Sequence, residues 1–219
     1  MRLVFMGTPA VAIPVLEVLA KLEDCEVVGV YTSPDRPRGR GRPQEMTPVK
    51  SYAADLGLSV YQPVTLRSSQ AQEQLAALKP EVVVVAAYGR LLPPPVLEMP
   101  PHGCLNLHPS LLPRYRGPSP VVTAIKDGES VTGVSLMLLD EGMDTGPIIA
   151  QQAYAISGDD TADSLTATLF AKGSALLAKK LNPWVSGQLT AQPQEDARAT
   201  LTRKLERTDG EANWQLSAQ

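Results

Sequence analysis

Asn106 and His108 stand two residues apart in GCLNLHPSLLPRYR, residues 103–116, where a short apolar run ends at Pro109. On an extended chain, positions i and i+2 project to the same face, so an amide and an imidazole would line one wall. That wall offers hydrogen-bond donors and a group that moves protons near neutral pH. The spacing equally fits a plain strand end whose Asn and His satisfy loop backbone. A further chemical residue, Asp144, lies in the glycine-rich segment DEGMDTGP, residues 140–147. Acidic residues beside glycine commonly mark solvated turns. At the C-terminal end of a strand in an open α/β sheet, the same carboxylate would face a ligand crevice and could orient an imidazole.

Such residues need a sheet to bring them together, and the apolar periodicity supplies one. Residues 2–6 (RLVFM) predict a buried strand closed by Gly7-Thr8-Pro9. A helix over 10–21 with Pro14 in its first turn and a strand over 26–32 (EVVGVYT) follow. Strand, helix and strand in about thirty residues form a βαβ unit, so the sheet should begin parallel. Residues 33–46 (SPDRPRGRGRPQEM) hold almost nothing apolar and read as a mobile loop. Thr47 and Pro48 predict the start of a helix over 47–56. A short strand near 59–61, a helix over 68–78 and a doubly buried strand over 81–87 (EVVVVAA) come next. Pro93-Pro94-Pro95 predicts an irregular connection. Beyond it the pattern gives strands over 103–108, 131–139 and 147–156, a helix over 119–126 and a long amphipathic helix over 161–181. The fold class is α/β, a Rossmann-like open and mostly parallel sheet. From Pro183 the composition turns polar. The expected division is a catalytic domain over 1–186 and, over 187–219, a linker and the start of a truncated C-terminal domain.

Composition narrows the class further. The chain has 219 residues, 43% of them hydrophobic and 20% charged, which argues against wholesale disorder. No apolar run approaches the ~20 residues of a membrane helix, and the first one is too short for a signal peptide. Cys25 and Cys104 offer neither a disulfide framework nor metal spacing, so the expectation is a cytoplasmic protein without a metal. With 20 Lys+Arg against 23 Asp+Glu, the chain is not a generally basic nucleic-acid binder. Its arginines nevertheless cluster. Arg36, Arg38, Arg40 and Arg42 are opposed locally by Asp35 alone, which suits either a phosphate backbone or a solvated insertion. Gly7-Thr8-Pro9 sits where α/β folds place phosphates, but it is neither G-x-G-x-x-G nor a Walker A sequence, which disfavours a plain dinucleotide site. Residues 86–90 (AAYGR) either present backbone groups to a ring system or make a tight exit turn.

Together these segments resemble the 10-formyltetrahydrofolate-dependent formyltransferase family. Asn106, His108 and Asp144 match its N-x-H…D triad. HPSLLPRYRGPSP (108–120) and DEGMDTGPII (140–149) match its two longest signature stretches, and the resemblance covers about residues 2–181. Two features, FMGTP (5–9) and SPDRPRGRGR (33–42), are similar to the branch that formylates methionyl-tRNA. Glycinamide ribonucleotide formyltransferases share the triad without that loop; sugar-nucleotide formyltransferases share the triad and the SLLPRYRG run. Val11 stands where the family commonly places an aromatic residue. Family members also carry a C-terminal β-barrel that supports tRNA binding, most of which this sequence is expected to lack.

The resemblance implies formyl transfer from 10-formyltetrahydrofolate, as cosubstrate, to the α-amine of initiator methionyl-tRNA. It implies no metal, no membrane and a monomer. Asn106 and protonated His108 would donate to the oxyanion, and Asp144 would keep His108 charged and oriented. The folate would lie along Tyr88, Gly89, Arg90, Leu91 and Leu92 and against Leu138, Leu139 and Asp140. Ser110, Leu111, Leu112 and Pro113 would line the site beside it, toward the acceptor. The acceptor would meet Gly7, Thr8 and Pro9 and the loop residues Arg36, Arg38, Arg40 and Arg42, with Arg40 matching the loop arginine these enzymes use. Three other readings stay open: a formyltransferase for a nucleotide-sugar amine, a formyltetrahydrofolate hydrolase, and a non-catalytic folate- or RNA-binding module.

Overall fold

Arg2–Gly7 (β1), buried from Leu3 onward, lies near the middle of the sheet in the computed structural model, which describes residues 1–37 and 44–211. Ile13–Lys21 (α1) follows it and turns Val15, Leu16 and Leu19 into the core. Pro14 sits in its first turn, where a missing N–H breaks no helical bond. Glu26–Tyr31 (β2) returns parallel to β1 and completes the βαβ unit.

The polar segment that follows is more structured at its base than its composition suggests. Arg36–Pro37 (β3) and Gln44–Glu45 (β4) pair antiparallel. A two-residue pairing rests on backbone hydrogen bonds rather than apolar side chains, so hydropathy does not reveal it. Arg38, Arg40 and Arg42 lie outside the described residues. Thr47 caps Pro48–Asp55 (α2), its hydroxyl accepting from the Lys50 N–H at 3.2 Å.

Val60–Tyr61 (β5) forms the edge beside β2, and Ser69–Ala77 (α3) starts at the Ser68 cap. Val82–Ala86 (β6) is buried at every position and runs parallel to β1. After it, the proline triplet does not leave the chain irregular. Pro94–Leu97 (α4) is a one-turn helix, because proline at a helix start has a suitable φ and needs no N–H partner.

Cys104–His108 (β7) is parallel to β6. Pro120–Lys126 (α5) leads to Val131–Leu138 (β8) and Ile148–Ala155 (β9), which extend the sheet antiparallel. Ala162–Val185 (α6) opens with a Thr161–Ser164 capping box and continues past Leu181, carrying Pro183 within it.

The sheet order is β5-β2-β1-β6-β7-β8-β9, an open and mostly parallel arrangement. One face packs Leu3, Phe5, Leu105 and Leu107 against Leu16 of α1 and Phe170 and Leu177 of α6. The other packs Val4, Met6, Val83 and Val85 against Leu75 of α3 and Val96 of α4. Strand order reverses beside β1, and the C-terminal ends of β1, β6 and β7 therefore open onto the crevice where such sheets bind ligands. Among the described residues no helix is long and apolar enough to cross a membrane.

The segment after α6 returns to the sheet beside the start of β9. Ile148 and Gln192 exchange backbone hydrogen bonds at 2.8 Å each way, and Thr200 and Thr202 run beside Arg116.

Candidate active site

The register of β7 carries the chemistry to the crevice. Asn106 lies between Val85 of β6 and Met137 of β8, and His108 lies beside Ser135 of β8. Both line a cavity of about 640 Å³, a volume suited to a small organic ligand. The Asn106 side-chain amide makes no hydrogen bond to any described residue, so its donors are available to a ligand. His108 is only 5% exposed. Its Nε2 lies 2.9 Å from the Tyr115 carbonyl. A carbonyl only accepts, so Nε2 carries a proton there. Nδ1 is left 3.6 Å from Asp144 Oδ2.

Tyr115 is held from outside the cavity. Its φ is +59°, and the Arg114 guanidinium stacks 5.0 Å above its ring while pairing with Glu129. The Tyr115 hydroxyl lies 2.8 Å from Glu129 Oε1 and 3.1 Å from Asp127 Oδ2 and donates to them. Burial, then hydrogen bonding to these carboxylates, raises the phenol above its ordinary value. The Arg114 hydrogen bond, followed by that from Tyr115, holds the Glu129 carboxyl below the usual carboxylate range.

Asp144 also adopts a left-handed conformation, with φ +54°. The Gly117 N–H donates to its Oδ2 at 2.8 Å. Asp140 organises the loop before it, its Oδ1 accepting from Gly142 N at 3.1 Å and Thr145 Oγ1 at 2.7 Å. Glycine is required at 146, because a Cβ there would stand 1.9 Å from the Leu138 carbonyl oxygen.

Of the residues expected to meet a folate, Tyr88, Gly89, Arg90, Leu91 and Leu92 line one side of the cavity, and Leu139 and Asp140 line another. The Arg90 guanidinium is engaged outside it, donating to the Pro63 carbonyl at 3.0 Å and to that of Val64. Leu138 does not line the cavity; its side chain lies against Gly103.

Ser110, Leu111, Leu112 and Pro113 are likewise not among the lining residues. Beyond Pro109 this segment packs onto β8: Ser110 Oγ donates to Arg114 O at 2.7 Å, and Ser135 Oγ accepts from Leu112 N at 3.1 Å and donates to Ser110 O at 2.6 Å. Gly7, Thr8 and Pro9 also stay off the cavity wall. The Thr8 hydroxyl instead links the ends of three strands, lying 3.2 Å from Ser33 Oγ and 3.4 Å from Tyr88 O. The side chain of Arg36 falls outside the described residues, as do Arg38, Arg40 and Arg42.

Other lining residues carried no chemical signal in the sequence, apart from Val11, which stands where the family commonly places an aromatic residue. Val11, Val121, Val122, Thr166 and Phe170 close the cavity at its α5–α6 end. Apolar side chains on helices read as core, and only the folded arrangement shows that these border a cleft.

Residues 1–181 match the family described as formyl transferase. A methionyl-tRNA formyltransferase of Roseiflexus sp. (strain RS-1) is 50% identical over 214 residues, covering 98% of this chain and 66% of the relative. One from Marinobacter nauticus is 46% identical over the whole chain and 70% of its own length. The chain thus spans about two thirds of the length of these relatives. Among solved structures, phosphoribosylglycinamide formyltransferase from Bacillus halodurans has a TM-score of 0.71 at 30% identity, over 86% of this chain and 97% of its own. An N-formyltransferase from Helicobacter canadensis, solved with folinic acid and dTDP-3-aminofucose, shares the fold with a TM-score of 0.71 at 23% identity, over 95% of this chain and 72% of its own. The family match runs through every strand of the seven-stranded sheet and into α6, and the chain therefore belongs to the formyl transferase family.

Proposed function

We propose that the chain transfers a formyl group from 10-formyltetrahydrofolate to the α-amine of initiator methionyl-tRNA. The observation that carries this reading is the unpartnered Asn106 amide beside His108 and Asp144, in a chain 46–50% identical along nearly its whole length to methionyl-tRNA formyltransferases. The cavity fits the donor in kind: apolar walls from Leu91, Leu92, Leu97 and Leu139 suit a flat ring system, and Asn106, His108 and Asp144 line the same cavity.

An α-amino group of pKa ~8 is neutral often enough near pH 7 to attack a formyl carbon. Negative charge then develops on the formyl oxygen. Asn106 donates an N–H to that oxygen, and His108, protonated on Nδ1 as well as Nε2, supplies a charged donor. A preorganised donor of this kind contributes ~3–4 kcal/mol of transition-state stabilisation. The Asp144 carboxylate faces the imidazolium and is the base through which the amine's proton leaves, by way of water. As the intermediate collapses, the bond from the formyl carbon to N10 of the folate breaks, and that proton passes to N10 so that tetrahydrofolate departs as the neutral amine. The Tyr115 carbonyl keeps the imidazole from rotating.

The test is a formylation assay with 10-formyltetrahydrofolate and charged initiator tRNA. Formylmethionyl-tRNA and tetrahydrofolate are the expected products, with little donor consumption when acceptor is left out. Donor consumption that ignores the tRNA would point to hydrolysis. Transfer only to an amino sugar nucleotide would point to the sister activity.

A further inference from the structure

The polar segment after α6 lies across the site. Its backbone pairing with Ile148 places Gln194 beside the 144–146 loop. The Gln194 amide nitrogen donates to the carbonyls of Asp144 and Gly146, at 2.8 and 2.7 Å. Its amide oxygen accepts from Arg116 Nε at 3.0 Å. Arg116 has a side chain only 7% exposed and forms an ion pair with Asp196 at 2.7 Å. With Arg116 holding the oxygen, the amide presents its NH₂ group to the two carbonyls, and its orientation is set.

Those carbonyls belong to the turn that keeps Asp144 left-handed, a conformation uncommon for residues with a Cβ. From that turn Oδ2 reaches the Gly117 N–H and faces His108 Nδ1. The same segment grips the other support of the imidazole. Thr200 Oγ1 accepts from Tyr115 N at 2.7 Å, and Thr200 O accepts from Arg116 N at 2.9 Å.

We propose that Gln194 is a positioning residue for formyl transfer, holding Asp144 turned toward His108 through the carbonyls of Asp144 and Gly146. This rests on the roles assigned to His108 and Asp144 above. Through Gln194 and Thr200, the segment after α6 thereby supports both groups that flank the imidazole.

Two substitutions separate positioning from simple tethering. Gln194→Glu keeps the side chain's size and its acceptor for Arg116, but a carboxylate cannot donate to carbonyls. Gln194→Ala removes both functions. Positioning predicts that both variants lose about ten-fold in kcat, while KM for the folate donor stays within about two-fold. It also predicts displaced His108 ring resonances by NMR, with those of His102 unmoved as an internal reference. Glu195→Gln, whose side chain is largely exposed and among the described residues pairs only with Arg198, should match the parent. Parent-like kcat and His108 resonances in Gln194→Glu would overturn the proposal, since tethering through Arg116 would then be the segment's whole role. Asp144→Asn is measured alongside: if it retains full turnover, the site assignment itself fails, which is a different result from a silent Gln194→Glu.

Discussion

His108 Nε2 donates to the Tyr115 carbonyl at 2.9 Å, which leaves Nδ1 as the nitrogen facing Asp144 and the cavity. One ring nitrogen is thus committed to structure, and the proposed chemistry falls to the other. The supports of that arrangement come from the loops after β7 and β8 and from the segment after α6, and each can be tested separately.

The two proposed donors to the formyl oxygen come first. Asn106→Ala and His108→Ala should each lower kcat by about 10²–10³ while the folate donor still binds. With both proposed to act on one oxygen, the double variant should lose less than the product of the single losses. Single-turnover rates would show this, and near-parent turnover in either variant would end the assignment.

Gly117 holds Asp144 from the other side. Its φ is +106°, and a Cβ added there would stand 2.7 Å from the Thr202 carbonyl oxygen. Gly117→Ala should therefore strain the turn, push residues 200–202 away and tilt the N–H off Asp144. A stability loss of at least ~1 kcal/mol is expected, visible as a lower Tm, together with a fall in kcat. An unchanged Tm and an unchanged rate would show that the turn tolerates the methyl group.

The Arg114–Glu129 pair that supports Tyr115 has a pH signature. Arg114, and then Tyr115, hold the Glu129 carboxyl below its unfolded value. The stabilisation is therefore complete above the ordinary carboxylate range and is lost as pH falls through the folded value. Glu129→Gln should be less stable than the parent at neutral pH, and that deficit should shrink between about pH 6 and pH 3. A deficit constant across denaturation curves in that range would contradict the linkage.

The arginine-rich segment separates a tRNA acceptor from a small amine. Arg40→Ala should weaken kcat/KM for methionyl-tRNA and reduce the steepness of its salt dependence by roughly one phosphate contact. Donor binding should hardly change. If kcat/KM and its salt slope both match the parent, the segment is a solvated insertion, and a small amine becomes the better acceptor.

Much of this protein was legible in its sequence because the relevant signals are local. The run VVVVA of β6 admits little but a buried strand, and Thr47-Pro48 marks a helix start through one cap and one preset φ. Asn106 and His108 share a wall because a strand alternates faces every residue. Tertiary structure alone decided who meets whom. Ser110 to Pro113 sit within the same signature run as His108, yet they lie off the cavity, with Ser110 and Leu112 bonded to Ser135, while Val121 and Phe170 read as ordinary core and line it. Gln194 gave no signal in a polar stretch, yet it reaches Asp144 across 50 residues of sequence. Hydropathy and spacing report how each segment buries its own apolar face. A backbone carbonyl waiting for a distant amide leaves no mark on either, so the polar contacts that aim the site exist only once the loops have been brought together.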